Sequence, residues 1–523
     1  PEVWYTGAMC ASGETRAKGA GGQQRGKRHC LIIALLTLLA LILRLAFLTC
    51  QPLWWDEGWS LYFSATNVGK MLDLTAVDIH PPLYYLMLHL WTRLFSSSVI
   101  SVRLLSVLIG TATVPLICAV GRRLLNEKGG LLAAFLLALS PFHIFYSQEV
   151  RMYGLVTLLG LVALWFALRE EWTGSGRRWV VWLGYLLVAT AALYTDYYAA
   201  FLLLALNLSM LLRLLRNGRS RGSLLMWLSA QVAVVLLYLP WLWYAGEKLL
   251  TYVRFKVSVE QDAPSGLFSY VARHLAALNW GHAEGALAGW WWLGLLPLAL
   301  LLASLALLLR ERERRARIRH WIWEEGHWPL LIVVVVFICG FAVNLVFPFA
   351  APRIERLLLL ALPAYLLLVA ALLVALWYYR RWLAALCAGA LLVVAILSLV
   401  FFYTVPRYPD DDYRPLAGQL RGQALATDGG VAVHPWQVGY LQAYLPDDDA
   451  RPDLVLSPRE VLPEERQLWD GDLARMSSDL DALLAGHGRL WLLDHRTMGR
   501  VLESQIEAYL AEHAYPCLLY TSD

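Results

Sequence analysis

Between residues 31 and 403 the chain is a succession of apolar runs, 16 to 26 residues long, separated by short polar turns and by two longer stretches, 50–98 and a long external loop at 246–288. They fall at 31–49, 99–124, 130–146, 152–168, 179–194, 198–215, 224–245, 289–309, 329–347, 357–378 and 383–403. A helix crossing a bilayer needs about 20 mostly apolar residues. The pattern therefore predicts an α-helical polytopic membrane protein with about 11 transmembrane helices. One stretch departs from it. Residues 82–95, PLYYLMLHLWTRLF, are few for a crossing and carry His89 and Arg93. They read as a juxtamembrane helix on the membrane surface. After Pro406 the pattern changes again. Strand-like segments at 429–434 and 488–493 alternate with helix-like ones at 437–445, 472–484 and 500–513, which predicts a small soluble α/β domain. Three parts result: a basic tail at 1–30, a membrane domain at 31–405 and the α/β domain at 406–523.

Composition agrees: 59% of the 523 residues are hydrophobic and 16% are charged, against about 25% charged in soluble domains. The net charge of +4 says less than its distribution. Arg16, Lys18, Arg25, Lys27 and Arg28 precede the first run. Arg122, Arg123 and Lys128, the segments 170–178 and 216–221, the six arginines of 310–319, and Arg380 with Arg381 then recur at every second turn. Basic turns mark the cytoplasmic side. The alternation holds only if 82–95 does not cross, and it places the remaining turns and the C-terminal domain on the periplasmic or extracellular face of an inner (plasma) membrane. The first run is long enough to stay as an anchor. Seven cysteines are scattered singly, so neither a disulfide framework nor a zinc site is indicated. No nucleic acid is expected as a partner.

With that orientation, one face collects the ionisable residues. The stretch Trp54-Trp55-Asp56-Glu57-Gly58-Trp59 follows the first run. Tryptophan favours the membrane–water interface, so these rings fix the depth of two adjacent carboxylates. Asp78 and His80 close the same loop. The turn after 130–146 holds Glu149, Arg151 and Tyr153, the next turn on that face holds Asp196, and the last holds Arg353, Glu355 and Arg356. A carboxylate here can take a proton from a hydroxyl, and arginines can take up the charge of a departing phosphate.

The ordered pieces resemble the membrane-embedded glycosyltransferases of the GT-C fold. The likeness is to bacterial relatives of protein O-mannosyltransferases, lipid A aminoarabinose transferases and Rgt-type core-sugar transferases. It rests on Asp56-Glu57, His80-Pro81-Pro82-Leu83-Tyr84-Tyr85, Val102-Arg103-Leu104-Leu105-Ser106, Arg122-Arg123-Leu124, Ser140-Pro141 leading to Ser147-Gln148-Glu149-Val150-Arg151-Met152-Tyr153, and Arg356-Leu357-Leu358 followed by Pro363. The resemblance implies a polyprenyl-phosphate sugar donor, transfer on the external side with inversion, and two juxtamembrane helices in the first external loop. Carried over by residue, it makes Asp56 the base and Glu149 the second catalytic acid. Glu57, His80, Arg151, Tyr153, Asp196, Arg353 and Arg356 are expected to bind substrate. A divalent cation, magnesium or manganese, is the one cofactor the set suggests, with Asp56, His80 and Glu149 as its ligands. The acceptor hydroxyl belongs to a protein, a lipid or a polysaccharide. Leu357 stands where such chains usually carry Tyr after the Arg.

Two other classes of function compete. A transporter or flippase for a lipid-linked sugar would gather polar groups near the bilayer midplane and show inverted repeats; neither is apparent. An interaction protein would rest on the C-terminal domain, which carries no motif. The acidic runs 410–412 and 447–449 read as loops or helix caps.

Overall fold

The structure is a computed structural model and describes residues 20–169, 178–216, 221–259, 263–282, 285–348, 353–408, 412–425, 427–446, 453–456, 469, 472–493 and 501–514. Every apolar run of the sequence is helical: α1 (Ala20–Leu45), α5 (Val99–Leu124), α6 (Glu127–Leu139) with α7 (Pro141–Ser147), α8 (Tyr153–Ala167), α9 (Arg178–Leu193), α10 (Ala199–Arg216), α11 (Arg221–Val259), α13 (Leu295–Arg310), α15 (His327–Val346), α16 (Leu362–Tyr379) and α17 (Arg381–Thr404). Among the described residues, 8 helices are long and apolar enough to cross a membrane, and up to 9 if the bent pair α6 and α7 counts as one. Helices α8 and α9 are apolar but shorter, 15 and 16 residues. The chain is a multi-pass membrane protein.

The break between α6 and α7 bends the pair by 59°. Ser140 accepts the His143 N–H and Pro141 opens the new helix, a sequence signal for restarting one. Arg44, wholly buried near the end of α1, donates to the carbonyls of Leu137 and Ala138 and bonds His143 and Ser147. These carbonyls are the ones a helix end leaves without partners.

The basic turns gather at one end of the bundle. Trp321 of α14 (Arg312–Trp321) donates to the Leu124 carbonyl, Arg213 to that of Ala167, and Arg123 and Arg216 lie near Glu325 and Glu324. The opposite end carries the candidate site. There the segment between α1 and α5 forms α2 (Trp55–Ala65), α3 (Val68–Val77) and α4 (Leu83–Leu94). This is one helix more than the resemblance implies. Helix α4 is also less superficial than its composition suggests: Tyr84, Tyr85 and Leu88 are fully buried, while Leu90 and Leu94 are exposed. A second correction concerns residues 246–288, which the sequence pattern treats as a loop. Helix α11 runs on to Val259, and α12 (Leu267–Trp280) fills much of the remainder.

In the C-terminal part, β1 (Gly429–Ala432), β2 (Asp453–Leu456) and β3 (Leu490–Leu493) form a parallel sheet ordered β2-β1-β3, with Val431 opposite Val455 and Leu492. Strand β2 is missing from the sequence reading. Helices α18 (Arg414–Gln423), α19 (Pro435–Tyr444), α20 (Leu473–Gly486) and α21 (Val501–His513) accompany it. One side of the sheet has its own small core around Val431, Met476, Leu480 and Ile506, whereas Trp436, Tyr440 and Leu441 of α19 join the core of the helical bundle.

Candidate functional site

Three consecutive residues of α2 point in three directions, because each step along a helix turns by about 100°. Asp56 faces a cavity of about 420 Å³. Glu57 faces α5, where its carboxylate accepts Arg103 Nε at 3.1 Å and Nη2 at 2.8 Å, and it also accepts the Val150 N–H at 3.1 Å. Gly58 faces α19, and a Cβ there would stand 2.7 Å from the Trp436 carbonyl oxygen. Trp55 and Trp59, one turn apart, flank Asp56 on the cavity wall.

Asp56 Oδ2 accepts a hydrogen bond from Arg356 Nη1 at 2.6 Å and lies 3.8 Å from Arg151 Nη2. Burial pushes this carboxyl up, but Arg151 and Arg356 outweigh it and hold it at about 2. The Tyr153 ring lies beneath both guanidiniums, 5.9 Å from that of Arg151 and 5.4 Å from that of Arg356.

His80 joins the set from the other side. Its Nε2 lies 3.1 Å from Arg151 Nη2 and its Nδ1 3.0 Å from Asp78 Oδ2. Arginine can only donate, so Nε2 accepts and the ring proton sits on Nδ1, donated to Asp78. Ile79 between them holds φ at 54°, a left-handed conformation that costs a β-branched residue about 1–3 kcal/mol. That strained turn aims Asp78 and His80 at the same cavity. Asp196, in the turn between α9 and α10, also lines it. Its Oδ1 accepts the Tyr198 N–H at 2.7 Å, and burial raises its carboxyl to about 6.

The rest of the wall is apolar: Phe201 of α10, Val343 of α15, Leu249 and Val253 of α11, with Phe347 just past α15. The cavity thus has a charged end and a greasy side.

Of the residues expected from sequence, Asp56, His80, Arg151, Tyr153, Asp196 and Arg356 meet at this cavity. Glu57 does not: its side chain is 1% exposed and points into the bundle. Glu149 is buried beside the neighbouring Val150 and is not among the cavity-lining residues. The Arg353 side chain and the acidic run 447–449 lie outside the described residues, as do residues 410 and 411 of the other run. Of the expected cation ligands, Asp56 and His80 line the cavity and Glu149 does not. Among the described residues no group of three His, Cys, Asp or Glu comes together as a metal site, and Asp56 is occupied by arginine. Arg103 entered the sequence reading only as part of a motif and was given no role. An arginine inside an apolar run demands a buried partner, and that signal was available. Leu249, Tyr252 and Val253 were hidden by the reading of their segment as loop.

Fold and site together define a polytopic membrane protein with a carboxylate–arginine cavity at one end of its bundle. The chain has the GT-C fold of membrane glycosyltransferases. The family model described as dolichyl-phosphate-mannose-protein mannosyltransferase matches residues 79–244. Among solved structures, the fold is similar to ArnT from Cupriavidus metallidurans bound to undecaprenyl phosphate, at a TM-score of 0.53 and 14% identity, covering 87% of this chain and 88% of that one. The apo form of ArnT gives the same TM-score at 15% identity, covering 85% and 90%. The archaeal oligosaccharyltransferase AglB from Archaeoglobus fulgidus, in complex with an inhibitory peptide and a dolichol-phosphate, follows at 0.50 and 12%, covering 84% and 65%. No curated protein matches by sequence.

Proposed function

We propose that this chain is a membrane glycosyltransferase that moves a sugar from a polyprenyl-phosphate donor to an acceptor hydroxyl, with inversion, on the periplasmic or extracellular side of the inner membrane. The observation that carries the reading is the single cavity onto which Asp56, Arg151 and Arg356 open beside an apolar wall. The ArnT and AglB structures were solved with undecaprenyl phosphate and dolichol-phosphate respectively, and the proposal extends that ligand class to this cavity.

In this reading the donor's phosphate lies against Arg151 and Arg356, whose planar forks suit phosphate oxygens. Its prenyl tail follows Phe201, Val343 and Phe347. The acceptor oxygen attacks the anomeric carbon opposite the phosphate and its proton passes to Asp56. The bond from the anomeric carbon to the phosphate oxygen breaks, and the lipid phosphate leaves with the electron pair. General-base help of this kind contributes roughly 10²–10⁴-fold. A carboxylate held at about 2 is a weak base. Phosphate competes for Arg356, so donor binding frees Asp56 and raises its basicity before the acceptor arrives. Asp78 keeps His80 in the tautomer that accepts from Arg151, which fixes that arginine.

The test uses the full chain in proteoliposomes with polyprenyl-phosphate sugars as donors and undecaprenyl phosphate as binding probe. Sugar transfer that disappears in Asp56→Asn while undecaprenyl phosphate still binds supports the reading. Retained sugar transfer in Asp56→Asn would remove Asp56 as the base, and lipid translocation without transfer would favour a transporter.

A further inference from the structure

Helix α19 belongs to the C-terminal sheet by connectivity and by bonding. Gln437 donates to the Leu493 carbonyl of β3 at 2.9 Å and to Tyr413 at 2.9 Å, and its carbonyl oxygen accepts the His434 N–H at 2.9 Å. His434, capping the helix, bonds Glu503 of α21 at 3.1 Å. Yet the opposite face of α19 is packed into the bundle, on the one helix that carries Asp56. Gly58 and Gly439 make that approach possible. A Cβ on Gly58 would meet Trp436 and Tyr440, and a Cβ on Gly439 would overlap the carbonyl oxygen of Gly58. The two backbones therefore touch without side chains between them. Two bonds near the C-terminal end of α19 add to it. Tyr444 accepts the Leu53 N–H at 2.8 Å just before α2, and Ser97 donates to the Gln442 carbonyl at 2.9 Å.

The geometry on α2 turns this contact into a setting for the site. Residues 56 and 58 are two apart, about 200° around a helix, so the α19 contact lies behind Asp56. A shift of α2 by part of an ångström along that line changes the distance from Asp56 to Arg356, now 2.6 Å, and to Arg151, now 3.8 Å.

We infer that α19 is the positioning element of the site: the glycine contact at Gly58 and Gly439 sets how far Asp56 reaches toward Arg356 and Arg151. The C-terminal domain is then the back stop of the site's carboxylate. The inference takes from the proposed function only that Asp56 is the working carboxylate.

The experiment reads the carboxylate directly. A hydrophobic carbodiimide labels protonated carboxyls, and peptide mass spectrometry counts the label on Asp56 at pH 5 in the full-length protein. In the wild type Asp56 stays ionised and is protected. In Gly439→Ala the added methyl displaces α2 from its seat, the Asp56 carboxylate no longer meets Arg356 and Arg151 in register, and the labelled fraction rises by about tenfold for each pH unit by which Asp56 titrates higher. Tyr444→Phe removes only the hydroxyl that holds Leu53, creates no clash, and is expected to raise labelling less, by a few-fold. Gly486→Ala, where a Cβ meets nothing within 4 Å, serves as the control and is expected to behave as wild type. If Gly439→Ala folds and labels like wild type, the inference falls. If Gly439→Ala fails to fold, unchanged labelling in Tyr444→Phe overturns it and raised labelling supports it. Undecaprenyl phosphate binding, measured in parallel, separates the two claims: no binding by the wild type sinks the proposed function and leaves the labelling result standing.

Discussion

Removing the charge of Glu57 tests whether its role is to hold α2 rather than to touch substrate. Its carboxylate accepts the two Arg103 bonds at 3.1 and 2.8 Å and the Val150 N–H at 3.1 Å, and Oε2 lies 3.4 Å from the Trp54 N–H. The pair is 1% and 5% exposed, so solvent does little to replace it. Arg103 is also anchored to the carbonyls of Leu48, Gln51 and Pro52, so it stays in place when Glu57 changes. Glu57→Gln keeps one acceptor but leaves a buried cation without its anion and sets an amide NH₂ against guanidinium donors. Breaking such a pair costs about 3–5 kcal/mol. Arg103→Gln orphans the carboxylate and costs a similar amount, while the double variant carries no buried charge. The double-mutant cycle is therefore expected to show coupling of about 2 kcal/mol or more. Unfolding of the purified protein in mixed detergent, followed by tryptophan fluorescence, measures all four corners. Additive losses, or single variants within about 0.5 kcal/mol of wild type, would refute the reasoning. A Glu57→Gln protein of full stability that no longer binds undecaprenyl phosphate would restore the substrate-binding role expected from sequence.

Other predictions follow from the same geometry. Asp56 is depressed to about 2, so its stabilising contribution is complete above its ordinary value of 3.8 and is lost as pH falls through about 2. Asp56→Asn is expected to destabilise by ~2 kcal/mol at pH 7, in unfolding measurements, and to leave stability below pH 2 unchanged. Asp196 runs the other way. Its folded-state value is raised to about 6, so the native protein holds the extra proton between 3.8 and 6, and stability declines as pH rises through that window. Asp196→Asn is expected to stabilise by up to ~3 kcal/mol at pH 7 and to flatten the pH dependence between 4 and 6; a flat wild-type profile would count against it. Arg356→Gln is expected to move the acid limb of kcat/KM upward toward the ordinary carboxylate range and to weaken undecaprenyl phosphate binding. His80→Phe removes the acceptor for Arg151, and a loss of roughly tenfold or more in transfer is expected.

Much of this was legible along the chain. Apolar run length shows where the helices lie, and the recurrence of basic turns shows which turns share an end. Asp56, Arg151 and Arg356 were recognisable because ionisable residues recur at the ends of successive runs. Glu57 misled because adjacent carboxylates look equivalent in sequence, whereas a helix separates them by about 100°. Strand β2, four residues long, was too short to carry a period. The extension of α11 beyond residue 245 was obscured by its polar composition, although Leu249 and Val253 keep one-turn spacing. The contact of Gly58 with Gly439 had no local signature at all, since two glycines 381 positions apart announce nothing until the chain is folded.

That separation has a consequence for how the molecule comes into being. The segment that presents Asp56 leaves the ribosome early and the helix behind it late. At about 5–20 residues per second the interval is roughly 20 to 80 s. For that time every bilayer-crossing helix before α19 can be inserted while α2, already tied to α5, lacks the contact behind it. If α19 sets the site, completion of the domain that carries it doubles as a checkpoint on biogenesis, and chains that stop short of α19 would sit in the membrane with Asp56 out of position.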